Sequence, residues 1–374
     1  MSRTTVQTAR SLQPLLTLLI DPSKASSVDE SEWDSIVRWA RSSRLLATLH
    51  ARLVRVGLEE HLPTRVRAAM VSQTVLARHR AQMARFEMVE LARVLSPLDA
   101  PLVLLKGAAY LAQQLPLSEG RFLSDIDLLV PRSRLEEAER LLLLAGWQGE
   151  ELDWYDEHYY RAWSHELPPM RFPGRSLEVD LHHTILPVTG RIRPDVAALI
   201  EASIRLPGSV FRVLCPEDQV LHACAHLFQD SDLSHRLRDL ADIDALLRQY
   251  NTHDTFWLQL RRRTAQHGLA RPCWYALHYC RLFFATPVPD NVMRDLPGGR
   301  PLAPVLLTMD GLVRRVLPPA NPDRGRTLVG RRAQLALLVR SVWLRMPAWL
   351  LLYHSAMKFG RRAWNRMRPQ GSTA

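Results

Sequence analysis

Two aspartates that alternate with apolar residues are the feature that most constrains this chain. Asp125 and Asp127 lie in the run RFLSDIDLLV, residues 121–130. Because successive side chains of a β-strand point to opposite faces, a strand here places both carboxylates on one face, about 6 to 7 Å apart. Two like charges in a buried strand are costly unless cations compensate them. The segment predicts a strand whose acids share divalent metal ions, the alternative being an ordinary strand with two aspartates on its solvent face.

A lysine and a glycine form a second motif ahead of the acids. Lys106 and Gly107 end the apolar run 102–105 and precede residues 108–115, which have a helical composition. A strand, a glycine turn and a helix N-terminus make a phosphate cradle, because the first backbone amides of the helix point at the anion. The chain holds three lysines against 46 arginines, so we interpret Lys106 as a selected ammonium group rather than compositional filler.

A third acid lies further along the chain, in the run LEVDLH, residues 177–182. Apolar and polar residues alternate there, which predicts a half-buried strand with one polar face. If this strand neighbours the first, Asp180 completes the metal site or accepts a proton from an attacking hydroxyl. Glu178 is the rival for that role. The alternative is that Glu178, Asp180 and His182 merely face water.

These motifs, in this order, resemble the uncharacterised nucleotidyltransferase family of the polymerase-beta-like superfamily. The resemblance implies a small mixed sheet that bears three acids and a helical domain that completes the cleft. It implies that the catalytic residues and ligands of Mg²⁺ (or Mn²⁺) are Asp125, Asp127 and Asp180. The predicted phosphate-binding residues are Lys106, Gly107, Arg121 and Ser124. Many members of the wider superfamily follow the turn glycine with Ser or Gly, whereas this chain has Ala108, so Ser124 or Arg121 is expected to replace that contact.

The predicted reaction is Mg²⁺-dependent transfer of an NMP group from an NTP, with ATP favoured, to a hydroxyl of an unknown acceptor. Two alternatives remain open at this point. One is a catalytically silent, membrane-associated scaffold that retained the fold. The other is an RNA- or tRNA-directed, toxin-like transferase whose basic tail grips tRNA. A nucleic-acid partner is not favoured, because such an enzyme would carry its positive charge near the catalytic cleft, whereas the body of this chain is almost neutral.

The fold class predicted is α+β, with a small mixed β-sheet nucleotidyltransferase core embedded between N-terminal and C-terminal helical regions. Helical periodicity predicts three helices between residues 30 and 100 and a pair of helices between 217 and 250. Arg238 and Asp242 in that pair are expected to pack and form salt bridges, with a position facing the cleft as the alternative. The expected divisions are an N-terminal helical region at 1–100, the catalytic core at 101–212, a C-terminal helical domain at 213–318 and a basic amphipathic tail at 319–374.

The tail carries most of the net charge. Residues 320–374 hold ten arginines and Lys358 against one acid, Asp323, a balance of +10, whereas the whole chain sums to +11. Arg340 and Arg345 interrupt every long apolar run, so a membrane-spanning helix is not expected. Three interpretations follow: a terminal helix that packs on the body, an interfacial helix that contacts an anionic membrane surface, or a helix that binds a partner groove or RNA.

Cysteine usage bears on the location of the protein. The four cysteines form no Cys-x-x-Cys pair and are too few for a disulfide framework, which indicates free thiols in a reducing compartment. The predicted location is the bacterial cytoplasm, with peripheral contact at the inner membrane surface through the tail.

Overall fold

A mixed β-sheet lies between two groups of helices, which confirms the α+β prediction. The computed structural model describes residues 3–230, 232–253, 255–322 and 325–367. Four helices precede the sheet: α1 (Arg3–Ile20), α2 (Glu30–Ser42), α3 (Leu46–Arg55) and α4 (Thr64–Leu95). The last three are the helices predicted between residues 30 and 100.

The sheet has seven described strands: β1 (Leu102–Leu104), β2 (Asp125–Leu129), β3 (Gln148–Gly149), β4 (Met170–Arg171), β5 (Glu178–His182), β6 (Ile204–Arg205) and β7 (Phe211–Val213). Their order is β3-β4-β5-β2-β1-β7-β6. The β2–β5 and β1–β7 pairs are parallel, and the other pairs are antiparallel. Four helices connect the strands: α5 (Lys106–Ala112), α6 (Leu135–Leu144), α7 (Trp154–Trp163) and α8 (Val196–Glu201). The segment with the two aspartates is thus a strand, as predicted, and it lies in the middle of the sheet.

Helices form the C-terminal half: α9 (Pro216–Ala225), α10 (Leu237–Tyr250), α11 (Phe256–Gln266), α12 (Ala270–Phe284), α13 (Asp290–Arg294), α14 (Ala303–Val316), α15 (Leu328–Arg345) and α16 (Ala348–Met367). The predicted helix pair corresponds to α9 and α10. One hydrophobic core connects the N-terminal helices, the sheet and the C-terminal helices, so the central strands β1 and β2 are buried, whereas β3 and β6 at the two edges are exposed. Cys215, Cys224, Cys273 and Cys280 are free, as predicted.

The helix after β1 differs from the expected one. It begins at Lys106 itself, two residues earlier than predicted, and Lys106 rather than Gly107 has a positive φ, +44°. The glycine is therefore not needed for a left-handed conformation. Its role is steric, as the contacts of Arg121 show below.

The tail packs one face on the body. Ala333, Leu337 and Ser341 of α15 are buried, and Arg340 Nη1 donates to the Phe228 carbonyl oxygen over 2.9 Å. Leu350 of α16 is fully buried. Among the described residues, no single helix combines the length and apolar composition needed to cross a bilayer; residues 328–345 and 348–357 meet those criteria only as a pair, bent by 112°.

Candidate active site

The two acidic strands are direct neighbours. In the parallel β2–β5 pair, Asp127 lies opposite Asp180 and Asp125 lies opposite Glu178. Paired residues of adjacent strands point to the same face of the sheet. The predicted alternation therefore brings Asp127 and Asp180 together from positions 53 residues apart in sequence.

A third carboxylate comes from a residue that the sequence interpretation missed. One oxygen each of Asp127, Glu166 and Asp180 lies within 4.8 Å of the others. Glu166 forms an antiparallel bridge with His182, and the Leu167 backbone N–H donates to the Leu181 carbonyl oxygen over 2.9 Å. This extended segment runs along β5 and places the Glu166 carboxylate over the acids of the sheet.

Two basic side chains contact Asp127, which is buried. Lys106 Nζ lies 3.1 Å and His182 Nε2 2.9 Å from Asp127 Oδ1, and the same His182 nitrogen lies 3.2 Å from Glu166 Oε2. Burial alone would raise the pKa of Asp127, but Lys106 and His182 hold it well below its ordinary value. Asp127 is thus a buried carboxylate that contacts a lysine and a histidine.

Asp180 has the opposite electrostatic character. Its Oδ1 is buried and has no hydrogen-bond partner among the described residues. Burial, reinforced by the charges of Asp127 and Glu166, raises the pKa of Asp180 to about 8. An unsatisfied buried oxygen beside two other carboxylates is an arrangement that costs free energy in the absence of a cation.

The remaining predicted acid lies beside this cluster. Asp125 is on the same face of β2 as Asp127, but it lies outside the group formed by Asp127, Glu166 and Asp180. Burial, followed by repulsion from Asp127, raises its pKa, and a hydrogen bond from Ser124 opposes that shift. Ser124 thus contacts a carboxylate in this structure, and the roles of both residues stay predictions. Glu178, the rival of Asp180, pairs instead with Arg171 on the neighbouring strand β4.

A buried ion pair holds the loop that leads into β2. Arg121 Nε donates to Asp242 Oδ2 of α10 over 2.9 Å, and the two side chains are 11% and 13% exposed. A Cβ atom on Gly107 would lie 2.1 Å from Arg121 Nη1. Gly107 therefore makes room for the Arg121 guanidinium group. Arg238, one turn before Asp242, donates to the Phe122 carbonyl oxygen over 3.4 Å. Both Arg238 and Asp242 of α10 therefore contact the loop that leads into β2.

Open space adjoins the same loop. A cavity of about 240 Å³ is lined by Arg41, Arg44, Gly120 and Phe122 among others, and one of about 390 Å³ is lined by Arg44, Arg236 and Arg238 among others. Arg44 lines both cavities. Cations therefore border the approach to the residues that precede Asp125.

The carboxylate cluster fits a hard divalent cation. Mg²⁺ and Mn²⁺ prefer carboxylate oxygens, and Asp127, Glu166 and Asp180 supply three such groups from one small region. The unpartnered Oδ1 of Asp180 is an acceptor that a cation would satisfy. One ligand atom each of His165, Glu166 and His182 also lies within 4.8 Å of the others, and Glu166 and His182 of this group belong to the contacts already described.

Comparisons with known proteins bear on the family of the chain. A search of curated proteins finds no match to the chain. The sequence profile of the family described as uncharacterised nucleotidyltransferase matches residues 29–285, about two thirds of the chain, and this range includes the helices α2–α4, the whole sheet and α9–α12. The chain therefore belongs to the uncharacterised nucleotidyltransferase family.

Proposed function

We propose that this protein is a divalent-metal-dependent nucleotidyltransferase that moves an NMP group from an NTP, with ATP favoured, to a hydroxyl of an acceptor molecule. The observation that carries the proposal is the meeting of Asp127, Glu166 and Asp180 beside Lys106. Three carboxylates and one ammonium group suit a reaction that passes through a highly charged phosphate.

Asp127, Glu166 and Asp180 would hold Mg²⁺ or Mn²⁺, and Asp125 is the further ligand that the sequence predicts. When bound, the cation would neutralise negative charge that develops on the transferring phosphate. Lys106 is a separate source of positive charge. Its ammonium group is largely buried against Asp127, and a compact cation there would orient the phosphates of an incoming nucleotide.

Asp180 is the proposed proton acceptor. Burial raises the pKa of Asp180 to about 8 in the metal-free site, and a bound divalent cation would lower it again, so that Asp180 would be ionised and able to take the proton of the acceptor hydroxyl. The acceptor oxygen would attack the α-phosphorus, its proton would pass to the ionised Asp180, and the bond from the α-phosphorus to the oxygen bridging to the β-phosphate would break. Pyrophosphate would leave with the electrons of that bond.

The ion pair between Arg121 and Asp242 would position the site without touching the reacting atoms. It fixes the loop that leads directly into β2, and so it helps to set the positions of Asp125 and Asp127. The cations Arg44 and Arg238 beside this loop are the proposed contacts for anionic parts of the substrates.

The proposal is tested by incubating the purified chain with Mg²⁺, cell extract and each of four α-labelled NTPs, then identifying labelled products by mass spectrometry. We expect one nucleotide to label an acceptor, and Asp127→Asn to lower the rate by about a thousandfold or more. Glu178→Gln is the matched control, because it changes an acid of the neighbouring strand that pairs with Arg171.

Calorimetry separates an enzyme from a silent scaffold. The wild-type chain should bind a non-hydrolysable NTP analogue more tightly with Mg²⁺ than with a chelator, and Asp127→Asn should lose that difference. Binding that is absent, or that ignores the metal, would overturn the proposal. An Asp127→Asn variant that retains wild-type labelling would do the same.

A further inference from the structure

Large apolar side chains are exposed on the outer side of α15 and α16. Each is at least 43% exposed: Leu328, Leu335, Val339 and Trp343 on α15, and Trp349, Leu352 and Tyr353 on α16. Two of them also touch the body at one edge, since the Arg191 guanidinium lies over the Trp343 ring and the Tyr353 ring contacts the Trp163 ring. Trp349 is 64% and Leu352 is 73% exposed. The α15 residues recur at spacings of three to four or their multiples, so they share one helical face. A contiguous exposed face of this kind marks an interaction site.

This face is separate from the nucleotidyltransferase part of the chain. The family match ends at residue 285, whereas the exposed residues lie between 328 and 353. The opposite side of the same helices is anchored, because Arg340 donates to the Phe228 carbonyl oxygen and the His354 Nδ1 lies 2.8 Å from the Tyr155 hydroxyl. The apolar row is therefore held facing outward on a fixed support.

The charge of the segment indicates what it contacts. Neither α15 nor α16 contains an acidic residue, and Arg331 and Arg332 are exposed on α15 among the apolar side chains. Residues 320–374 carry a balance of +10 in sequence. Exposed Trp and Leu beside cations match a bilayer surface, where the rings and aliphatic groups enter the interface and the cations meet lipid phosphates. A nucleic acid would match the cations but would leave Leu335, Val339 and Leu352 exposed to water.

We propose that the exposed face of α15 and α16 binds the surface of a membrane that contains anionic lipids. The two helices pack on the body through their inner side and meet at a bend of 112°, which suits peripheral contact rather than a crossing. The proposal is independent of the reaction at the carboxylate cluster.

The test is co-sedimentation of the full chain with vesicles of phosphatidylcholine alone or of phosphatidylcholine mixed with phosphatidylglycerol. We expect binding to the mixed vesicles and at least about tenfold weaker binding to the neutral ones. The double variant Trp349→Ser with Leu352→Ser should weaken binding to the mixed vesicles by at least about tenfold, because it removes two exposed apolar groups and no charge.

The matched control is Leu143→Ser with Leu144→Ser on α6, whose side chains are 49% and 73% exposed on another part of the surface. It should bind as the wild type does. Arg331→Gln with Arg332→Gln should weaken binding to mixed vesicles by about fivefold for each cation. Circular dichroism and thermal unfolding establish that each variant is folded.

Three results would overturn the proposal. The first is no sedimentation of the wild type with mixed vesicles. The second is equal loss in the tail and control variants. The third is a pattern that assigns the face to a nucleic acid. In that pattern the wild type binds tRNA tightly, and Arg331→Gln with Arg332→Gln abolishes this binding. Trp349→Ser with Leu352→Ser then leaves both tRNA binding and vesicle binding unchanged.

Discussion

Two buried carboxylates in this molecule have opposite surroundings. Asp218 of α9 is fully buried, accepts hydrogen bonds from Arg263 Nε over 2.9 Å and from Arg263 Nη2, and lies 3.4 Å from His267 Nε2. Asp180 of β5 has a buried oxygen without a partner among the described residues and two carboxylate neighbours. Their pKa values move in opposite directions from the same ordinary value of 3.8. Asp218 in the helical half thus stabilises the fold, whereas Asp180 in the sheet destabilises it. A buried acid that lowers stability is typical of a ligand-binding site.

Loss of Asp218 is expected to have the largest effect on folding. Asp218→Ala leaves Arg263 largely buried without its partner, and we expect the free energy of unfolding to fall by about 3 to 5 kcal/mol in urea denaturation. Burial alone would raise the pKa of Asp218, but His267 and Arg263 hold it below 3.8. The stabilisation is therefore present above pH of about 4 and is lost as the pH falls through the folded-state value.

The control for this prediction is Glu217→Ala, which changes the neighbouring acid in the first turn of α9. It should cost less than about 1 kcal/mol, because it removes an interaction with the helix dipole and no buried pair. If Asp218→Ala and Glu217→Ala lower the free energy of unfolding equally, Asp218 has no special stabilising role.

The contact between Gly107 and Arg121 gives the next largest expected effect. Gly107→Ala places a methyl group against the Arg121 guanidinium and disturbs its pair with Asp242, so we expect a loss of about 1 to 3 kcal/mol together with reduced nucleotidyl transfer. Gly149→Ala is the matched control, since a Cβ at Gly149 meets nothing within 4 Å. If Gly107→Ala unfolds at the same denaturant concentration as Gly149→Ala, the steric role of Gly107 is wrong.

The sequence predicted the elements of the site better than their contacts. Alternation around Asp125, Asp127 and Asp180 was enough to predict two strands with polar faces, because side-chain direction in a strand is a local property. The opposition of Asp127 and Asp180 depends on strand order and register, which local pattern does not determine.

Two parts of the site escaped the sequence interpretation for separate reasons. Glu166 lies in the run HELPP, residues 165–169, which has the form of the first residues of a metalloprotease helix, but its two prolines forbid a helix there. Those prolines were the available signal, because they favour an extended segment that can run beside β5. The sequence around Gly107 indicates only a turn residue. Its steric role, which is to leave room for the Arg121 guanidinium, does not show in the sequence, because only the tertiary fold brings Arg121 near.

A smaller effect of opposite sign is expected at Asp180. Asp180→Asn removes repulsion with Asp127 and Glu166, so in the presence of a chelator the variant should be more stable than the wild type by about 1 kcal/mol at pH 9, while nucleotidyl transfer is lost. The unfolded chain releases the Asp180 proton near pH 3.8, whereas the folded chain keeps it up to about pH 8. The contribution of Asp180 to the free energy of unfolding of the wild type therefore falls as the pH rises from about 4 to about 8.

Urea denaturation of both proteins at several pH values checks this sign. The advantage of Asp180→Asn should be smallest near pH 4, grow with pH and level off above about pH 8. A variant that is less stable than the wild type at pH 9 would place Asp180 with Asp218 among the stabilising acids.

The smallest expected effect tests whether burial, rather than geometry, separates the two kinds of acid. Arg161 of α7 binds both oxygens of Glu139 on α6 over 3.0 Å each, a two-point contact like that of Arg263 with Asp218, but Arg161 is 42% exposed. Because water screens the charges and competes for the donors, Glu139→Gln should cost only about 0.5 kcal/mol, and less at high salt. Asp218→Asn is the matching isosteric change at the buried pair and should cost several times more in the same urea titration. Similar losses at the two sites would mean that two-point geometry stabilises each pair regardless of burial, and the contrast between Asp218 and Asp180 would then rest on hydrogen bonding alone.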